Sequence, residues 1–157
     1  MYTDEEIACF DGTFRVEPPL RAKADRKALR AALADGTIDG VCSDHRPENP
    51  ENNDVEFVLS PNGIAGISSS FPALLTACEE ADITRVIDAI SNANRRIFNI
   101  PEVHITEGAE AKITLFNPKG NHNCPGVSAG VNNPWKDRDD LQGIVYGIVN
   151  GKKSYSN

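Results

Sequence analysis

One short string, Ser43-Asp44-His45-Arg46-Pro47, concentrates the side chains that could carry chemistry. It directly follows the mostly apolar run 38–42, which has the composition of a strand covered on both faces. The Asp44 carboxylate would then project from the carboxyl end of that strand. Metal-dependent hydrolases need a carboxylate at such a point to bind the ion and to accept a proton from the attacking water. Asp44 could also cap the next turn and His45 could be an ordinary packed histidine, so the string alone leaves both interpretations open.

The elements that must position this string are two strands and a helix. Residues 13–16 have strand composition and stop at a proline pair, since proline cannot donate to a ladder. Residues 24–34 carry apolar side chains at helical spacing, and Gly36 is placed to cap that helix. A strand, a helix and a second strand form a βαβ unit, so we expect the strands at 13–16 and 38–42 to run parallel.

The rest of the chain divides into a long loop, more helices and a β-rich end. The polar stretch 45–62 is predicted to be a loop at the carboxyl end of a strand, where α/β proteins bind ligands. Spacing predicts helices over 71–81, from a Thr84 cap to Ile90, and over 92–98. Strands are predicted over 111–116 and 143–149, with a hairpin turn at Asn150-Gly151. We therefore predict an α/β body, residues 1–100, followed by a small β module, residues 101–157.

Composition excludes several classes of function. The chain has 157 residues, and 16 Lys+Arg against 23 Asp+Glu give a net charge of −7 and a pI of about 4.9. This balance argues against a nucleic-acid partner, because Lys and Arg supply most of the affinity for phosphates. No apolar run approaches the roughly 18–20 residues that cross a bilayer, and the acidic start, Met1–Glu6, lacks a signal-peptide layout. We expect no membrane association and a cytoplasmic location.

Cysteine usage agrees with a reducing compartment. The four cysteines are Cys9, Cys42, Cys78 and Cys124. They lie far apart in the sequence and form no CxxC pair. We interpret them as reduced thiols.

Eight short motifs extend in order over almost the whole chain. They are FRVEPPLR at 14–21, ADGTIDG at 34–40, SDH at 43–45, GIAG at 63–66, NRRIF at 94–98, EGAEA at 107–111, NNPW at 132–135 and VNGK at 149–152. Together they resemble the dihydroorotase family of the amidohydrolase superfamily, in which an N-P-P-L-R segment ends strand seven of a (β/α)8 barrel and a D-H-A-P-H segment lies on strand eight. The resemblance implies the last βα units of a (β/α)8 barrel, incomplete as given, plus a small C-terminal β module.

The resemblance also implies roles for five residues. Asp44 corresponds to the family's metal-binding aspartate and general base. Glu17 falls where the family has a substrate-binding asparagine, and Glu48 where it has a histidine that binds the substrate carboxylate. Asn62 and Gly63 correspond to the pair whose backbone contacts the dihydroorotate ring.

Two of these positions depart from the family in the same electrostatic sense. The substrates, carbamoyl aspartate and dihydroorotate, are anionic, whereas the carboxylates of Glu17 and Glu48 accept hydrogen bonds but cannot donate them. A like-charge contact near 4 Å costs about 4 kcal/mol at an effective dielectric of about 20. Arg46, which replaces a family alanine, offsets one of the two charges at most. We therefore expect dihydroorotate to bind weakly.

Most of the family's zinc ligands have no counterpart in this sequence. The H-x-H-x-R motif and the histidines of the middle strands do not occur, and His104 and His122 are expected at the surface. A di-zinc site needs several ligands around each ion, so we expect the chain alone to bind no zinc and to be inactive. A (β/α)8 barrel takes about 250 residues, and two βα units leave open sheet edges. We expect a truncated protein that forms a homo-oligomer or binds a missing N-terminal half.

Three functions remain compatible with these observations. The first is a dihydroorotase-type cyclic amide hydrolase of pyrimidine biosynthesis, represented by its C-terminal portion, in which Asp44 shuttles the proton. The second is a non-catalytic dihydroorotase-like scaffold that binds aspartate transcarbamoylase. Asp44 favours the first function, and Glu17 and Glu48 favour the second. The third, an independent small binding module, is favoured only by the Met1 start.

Overall fold

The structure, a computed structural model, describes residues 1–122 and 128–156. In chain order its elements are 3-10 helices Asp4–Cys9 and Gly12–Phe14, helices α1 (Lys23–Asp35), α2 (Pro50–Asn53), α3 (Ser70–Ala77), α4 (Ile83–Ile90) and α5 (Asn92–Ile97), and strands β1 (Lys112–His122), β2 (Leu141–Asn150) and β3 (Lys153–Ser156). The fold is therefore mixed α/β, with the helices before the strands. The division into a 1–100 body and a 101–157 module stays a prediction.

The predicted helices form, with changes at their ends. Helix α1 matches its prediction and is capped by Gly36. Its φ of 87° is a left-handed conformation that glycine adopts without steric cost, because it has no Cβ. Helix α3 stops earlier than predicted, at Ala77. Helix α4 is capped by Asp82 rather than Thr84, because the Asp82 side chain accepts a hydrogen bond from Thr84 N at 2.8 Å.

Both strands predicted in the first part of the chain are wrong. Residues 13–16 instead follow a 3-10 turn, in which the Asp11 carboxylate accepts a hydrogen bond from Thr13 N at 2.8 Å. Residues 38–42 form no strand because, within the described residues, no neighbouring strand offers a ladder. The predicted parallel βαβ unit is consequently not formed.

A single apolar core joins three helices to the sheet. Its buried members come from α1, α3 and α4 and from the residue after α3: Leu33, Leu75, Cys78, Val86 and Ala89. Phe71 of α3 meets Phe116 of β1 edge to face, with ring centroids 4.9 Å apart. The strands are thus part of the same packed unit as the helices.

The C-terminal sheet confirms the predicted strands and turn. It is antiparallel with the order β1-β2-β3, and Asn150 pairs with Lys153 across a turn at Gly151, whose φ is 62°. Strand β1 runs six residues beyond its predicted end at Phe116. Among the described residues, β1 and β3 each leave one edge unpaired.

The start of β2 fixes the sheet to α3. Gln142 N donates to Thr76 Oγ1 at 2.8 Å. At Gly143, with φ 95°, a Cβ would lie 2.6 Å from Leu75 Cδ1, so only glycine allows this approach. Leu141, adjacent in the chain, is fully buried.

The described cysteines are free thiols, and Cys124 lies outside the described residues. Cys9 and Cys42 are exposed, whereas burial raises the pKa of the Cys78 thiol. Among the described residues, none of the helices combines the length and apolarity that crossing a membrane requires.

Truncating Leu141 should destabilise the whole molecule. Leu141→Ala removes a side chain that is 0% exposed, so we expect a loss of about 2–5 kcal/mol in the free energy of unfolding. The matched control is Leu115→Ala in β1, which is 64% exposed and should lose less than about 0.5 kcal/mol. Urea denaturation followed by the fluorescence of the single tryptophan measures both. Equal losses in the two variants would contradict the packing of the sheet on α3.

Candidate active site

The segment with Asp44 lies beside the segment with Asn62 and Gly63. His45 forms a parallel bridge with Ile64, and Arg46 N donates to Ile64 O at 2.9 Å. Asp44 does not follow a strand, contrary to the prediction, because residues 38–42 lack a ladder partner. This bridge nevertheless brings both predicted site segments together.

Asp44 has an unusual backbone and a defined ionic partner. Its φ of 39° lies in the left-handed region, which aspartate tolerates better than most residues. Its Oδ1 atom accepts a hydrogen bond from Arg46 Nε at 3.1 Å, and both side chains are about half exposed. An ion pair this exposed contributes only about 0–1 kcal/mol to stability. The ion pair matters more for geometry, since it turns Oδ1 of the Asp44 carboxylate towards Arg46.

Gly63 is required by the path of the Arg46 side chain. A Cβ on Gly63 would lie 2.6 Å from Arg46 Cβ and 2.8 Å from Arg46 Cδ, and the φ of Gly63 is 134°. The arginine stem therefore crosses Gly63 closely while its guanidinium reaches Asp44. One side chain thus contacts two of the predicted site residues.

The buried side chain of Asn132 connects the two segments. Asn132 is 1% exposed; Nδ2 donates to Arg46 O and to Gly63 O, both at 2.9 Å, and Oδ1 accepts from Glu48 N at 2.9 Å. Its own carbonyl accepts from Ala65 N at 3.0 Å. Both polar atoms of the Asn132 carboxamide therefore form hydrogen bonds with backbone groups of the two segments.

The neighbouring Asn133 uses its side chain differently. Asn133 Oδ1 accepts hydrogen bonds from Ser69 Oγ at 3.2 Å and from Trp135 N at 3.0 Å. The hydroxyl of Tyr2 donates to Pro134 O at 2.6 Å. These contacts attach the 132–135 turn to α3 and to the N-terminal residues.

The remaining predicted site residues have separate surroundings. Glu48 Oε2 accepts a hydrogen bond from Asn52 Nδ2 at 2.9 Å, so its carboxylate is held by the loop. Arg15 holds the far end of the same loop by donating to Ser60 O, and its carbonyl accepts from Gly63 N at 2.9 Å. Glu17 is exposed and makes no hydrogen bond or ion pair with the described residues. The structure therefore brings the segment with Asp44 and Glu48 beside the segment with Asn62 and Gly63, and it shows no hydrogen bond or ion pair that ties Glu17 to either among the described residues.

Sequence reasoning missed the part played by Asn132. The NNPW motif carried the family resemblance, but its position in a late loop gave no sign of contact with residues 46–63. Two successive asparagines before a proline do signal a turn built by side-chain amides. That signal predicts a local turn and cannot identify a partner more than 80 residues away, because Asn132 and Glu48 are separated by 84 positions.

The donor groups around Asp44 do not fit a zinc centre. Asp44 is paired with Arg46, and His45 Nδ1 accepts a hydrogen bond from Ile67 N at 3.3 Å. Within residues 1–122 and 128–156, no group of three or more His, Cys, Asp or Glu side chains converges as an ion would require. The family's metal would need further ligands from outside the described part of the chain.

Solved structures identify the class to which this arrangement belongs. The fold matches D-hydantoinase (dihydropyrimidinase) from Thermus sp. with a TM-score of 0.73 and 28% identity, covering 91% of this chain and 33% of that chain. It matches L-hydantoinase from Arthrobacter aurescens with a TM-score of 0.83 and 16% identity, over 99% of this chain and 37% of that chain, which shows the fold. Both neighbours are (β/α)8 amidohydrolases, and this chain shares the fold of about a third of each.

The sequence relatives are more specific. No family model matches the chain. It is 32% identical to a dihydroorotase of Geobacter sp. (strain M21) over 158 residues, covering 98% of this chain and 37% of the relative. It is 34% identical to a dihydroorotase of Thermus aquaticus over 120 residues, covering 74% of this chain and 28% of the relative. The resemblance is confirmed: the chain is a homologue of the dihydroorotases of the amidohydrolase superfamily, and it spans about a third of the length of the curated relatives that it matches.

Replacing Gly63 should cost more than its backbone conformation alone explains. Gly63→Ala places a methyl group against Arg46, so we expect a loss of about 2 kcal/mol or more. Gly108→Ala is the comparison for backbone strain, because Gly108 also has a positive φ, 82° against 134° at Gly63, but open space where the methyl group would lie. It should lose about 1 kcal/mol from backbone strain alone. Urea unfolding measures both variants, and equal losses would mean that the Arg46 stem does not cross Gly63.

Proposed function

We propose that the chain is the C-terminal portion of a dihydroorotase-type cyclic amide hydrolase, to which it contributes Asp44 and one wall of the substrate site. The observation that supports this most is the juxtaposition of Asp44–Glu48 with Asn62–Gly63 through the His45–Ile64 bridge. The homology to dihydroorotases assigns a cyclic amide hydrolase family. The homology gives the four residues their proposed roles, and the bridge brings the two segments that carry them together.

Asp44 is proposed to transfer the proton. Hydrolysis of a cyclic amide adds water to the ring carbonyl, breaks the ring C–N bond and delivers a proton to the released nitrogen. A carboxylate can accept the proton from the water and return it to that nitrogen. Arg46 occupies Oδ1 of Asp44, and Oδ2 makes no hydrogen bond to the described residues. Oδ2 is therefore the atom proposed to carry the proton.

The activity needs groups that this chain does not supply. The family's metal dependence agrees with the role of Asp44, but the donor set described above does not hold zinc. We therefore propose that the chain alone is inactive and that the remaining ligands belong to another portion of the polypeptide.

The charge of the site bears on the substrate. The Glu48 carboxylate lies in the segment beside Gly63, and Arg46 is already paired with Asp44. Two carboxylates against one guanidinium disfavour an anionic ring such as dihydroorotate, and equally its anionic open-chain product, carbamoyl aspartate. Hydantoins and dihydropyrimidines, after which the hydantoinase neighbours are named, are neutral rings and avoid this repulsion. We propose a cyclic amide substrate and expect a neutral ring to bind better.

The second candidate is a non-catalytic scaffold that binds aspartate transcarbamoylase. It is favoured by the glutamates at positions 17 and 48 and by the incomplete donor set around Asp44. It shares the fold with the first candidate and differs in needing no proton transfer. The role of Asp44 therefore separates the two.

A chimaera tests the role of Asp44. This chain replaces the aligned part of a bacterial dihydroorotase that it matches, and hydrolysis of dihydroorotate, hydantoin and dihydrouracil is measured. We expect turnover in the chimaera, with hydantoin or dihydrouracil preferred, and a loss of about 100-fold or more in kcat for Asp44→Asn. The chain alone should give none.

The matched control is Asp54→Asn, an exposed aspartate of the same loop that should leave kcat unchanged. A folded, metal-loaded chimaera without turnover would support the scaffold. Turnover that survives Asp44→Asn would overturn the assignment of the proton-transfer group.

Exposed apolar surface supports the proposal that the chain works with further polypeptide. A groove of about 830 Å³ lies between α3, α4 and the sheet, and Ile67, Ile87, Ile105 and Ile148 are among its lining residues. Ile105 is 86% exposed. Burying such surface stabilises by about 25 cal/mol per Å². We propose that the remaining portion of the barrel covers this groove and that the isolated chain self-associates through it.

Light scattering at micromolar concentration tests the groove. We expect the isolated chain to be oligomeric, and Ile105→Lys to weaken association at least about tenfold, or about 1.4 kcal/mol. Val58→Lys is the control, since Val58 is 69% exposed and does not line the groove. A monomer with cooperative unfolding, or equal effects of the two variants, would contradict the proposal.

A further inference from the structure

We infer that Asn132 is the positioning residue of the candidate site, which sets the spacing between the segment of Asp44 and that of Gly63. The inference rests on the proposed function only in treating this spacing as important for catalysis. The hydrogen bonds themselves do not depend on it. Nothing in the sequence motifs or in the comparisons assigns this role.

The geometry of the contacts makes Asn132 a spacer. One Nδ2 hydrogen bond reaches Arg46 O and the other reaches Gly63 O, each at 2.9 Å. The two carbonyls belong to different segments, so one nitrogen fixes their separation. Oδ1 accepts from Glu48 N at 2.9 Å, which fixes the rotation of the carboxamide.

The spacing reaches Asp44 through Arg46. The Arg46 carbonyl is held by Asn132, its stem crosses Gly63, and its Nε bonds Asp44 Oδ1 at 3.1 Å. Because the Arg46 stem packs against Gly63, we expect a change in the separation of the two segments to move the guanidinium relative to the carboxylate. Asn132 itself touches neither Asp44 nor a reacting atom, so it acts through Arg46.

The adjacent asparagines form a matched pair for testing. Asn132 donates twice through Nδ2, whereas the hydrogen bonds of Asn133 to described residues use only Oδ1 as acceptor. Aspartate keeps the acceptor and loses the donor. Asn133→Asp should therefore be tolerated, and Asn132→Asp should place a carboxylate against two carbonyl oxygens.

The first measurement is pH dependence of stability. Burial and the two facing carbonyls should raise the pKa of an aspartate at position 132 well above its ordinary value, since they disfavour the charged form. Stability relative to the parent chain is then retained at low pH and lost as pH rises towards that pKa. Above the pKa of a free aspartate, the unfolding constant of Asn132→Asp relative to the parent should increase roughly tenfold per pH unit until that raised pKa is reached. Asn133→Asp is also buried, but its carboxylate keeps the Ser69 and Trp135 donors, which favour the charged form, so its rise should be much smaller.

The second measurement reports on position rather than stability. In ¹⁵N-labelled protein, the Arg46 Nε proton of Asn132→Asp should exchange at least about tenfold faster than that of the parent chain at the same high pH, and at the parent rate at low pH. Leu33→Ala, a core truncation in α1, should lower stability without a selective change at Arg46. In the parent chain, the Asn132 side-chain amide protons should exchange more slowly than those of Asn133.

Two results would overturn the inference. One is a pH profile shared by Asn132→Asp and Asn133→Asp. The other is an unchanged Arg46 signal in folded Asn132→Asp. Neither readout requires enzymatic turnover, so an inactive chimaera with these shifts would reject the proposed function and leave the positioning role standing.

Discussion

The backbone from Ile38 to Glu48 runs without a continuous ladder, and side chains from later in the chain bond its peptide groups instead. Asn132 Nδ2 donates to Arg46 O at 2.9 Å, Asn94 Nδ2 donates to Val41 O at 2.8 Å, and Arg85 Nη2 donates to Ile38 O and, at 3.3 Å, to Asp39 O. Buried peptide groups need partners, and in barrels neighbouring strands provide them. Here carboxamides and a guanidinium fulfil that role.

This constraint explains why the candidate site is formed although the strands around it are not. A ladder would position Asp44 through many weak and equivalent hydrogen bonds. The observed arrangement uses one bridge, at His45 and Ile64, the buried Asn132 carboxamide, and isolated backbone hydrogen bonds such as Gly63 N to Arg15 O at 2.9 Å. Such a site depends on few residues, and each of them is correspondingly difficult to replace.

The same constraint links the sheet to the site. Strand β2 packs on α3 through Leu75 and Thr76, and the turn with Asn132 and Asn133 precedes β2 in the chain. Asn133 Oδ1 in turn accepts a hydrogen bond from the hydroxyl of Ser69, the residue directly before α3. The strands are therefore more than an appendage, because the core fixes the turn that holds the loop of Asp44.

By itself the sequence determined the elements whose hydrogen bonds are local. Helix α1 with its Gly36 cap and the hairpin at Gly151 follow from periodicity and turn chemistry alone. The motif order also predicted the family, which the dihydroorotase relatives confirm. Tertiary structure alone decided whether residues 38–42 become a strand, because a strand exists only beside another strand. It also decided the place of Asn132, because a hydrogen bond across 84 positions leaves no periodic trace in the sequence.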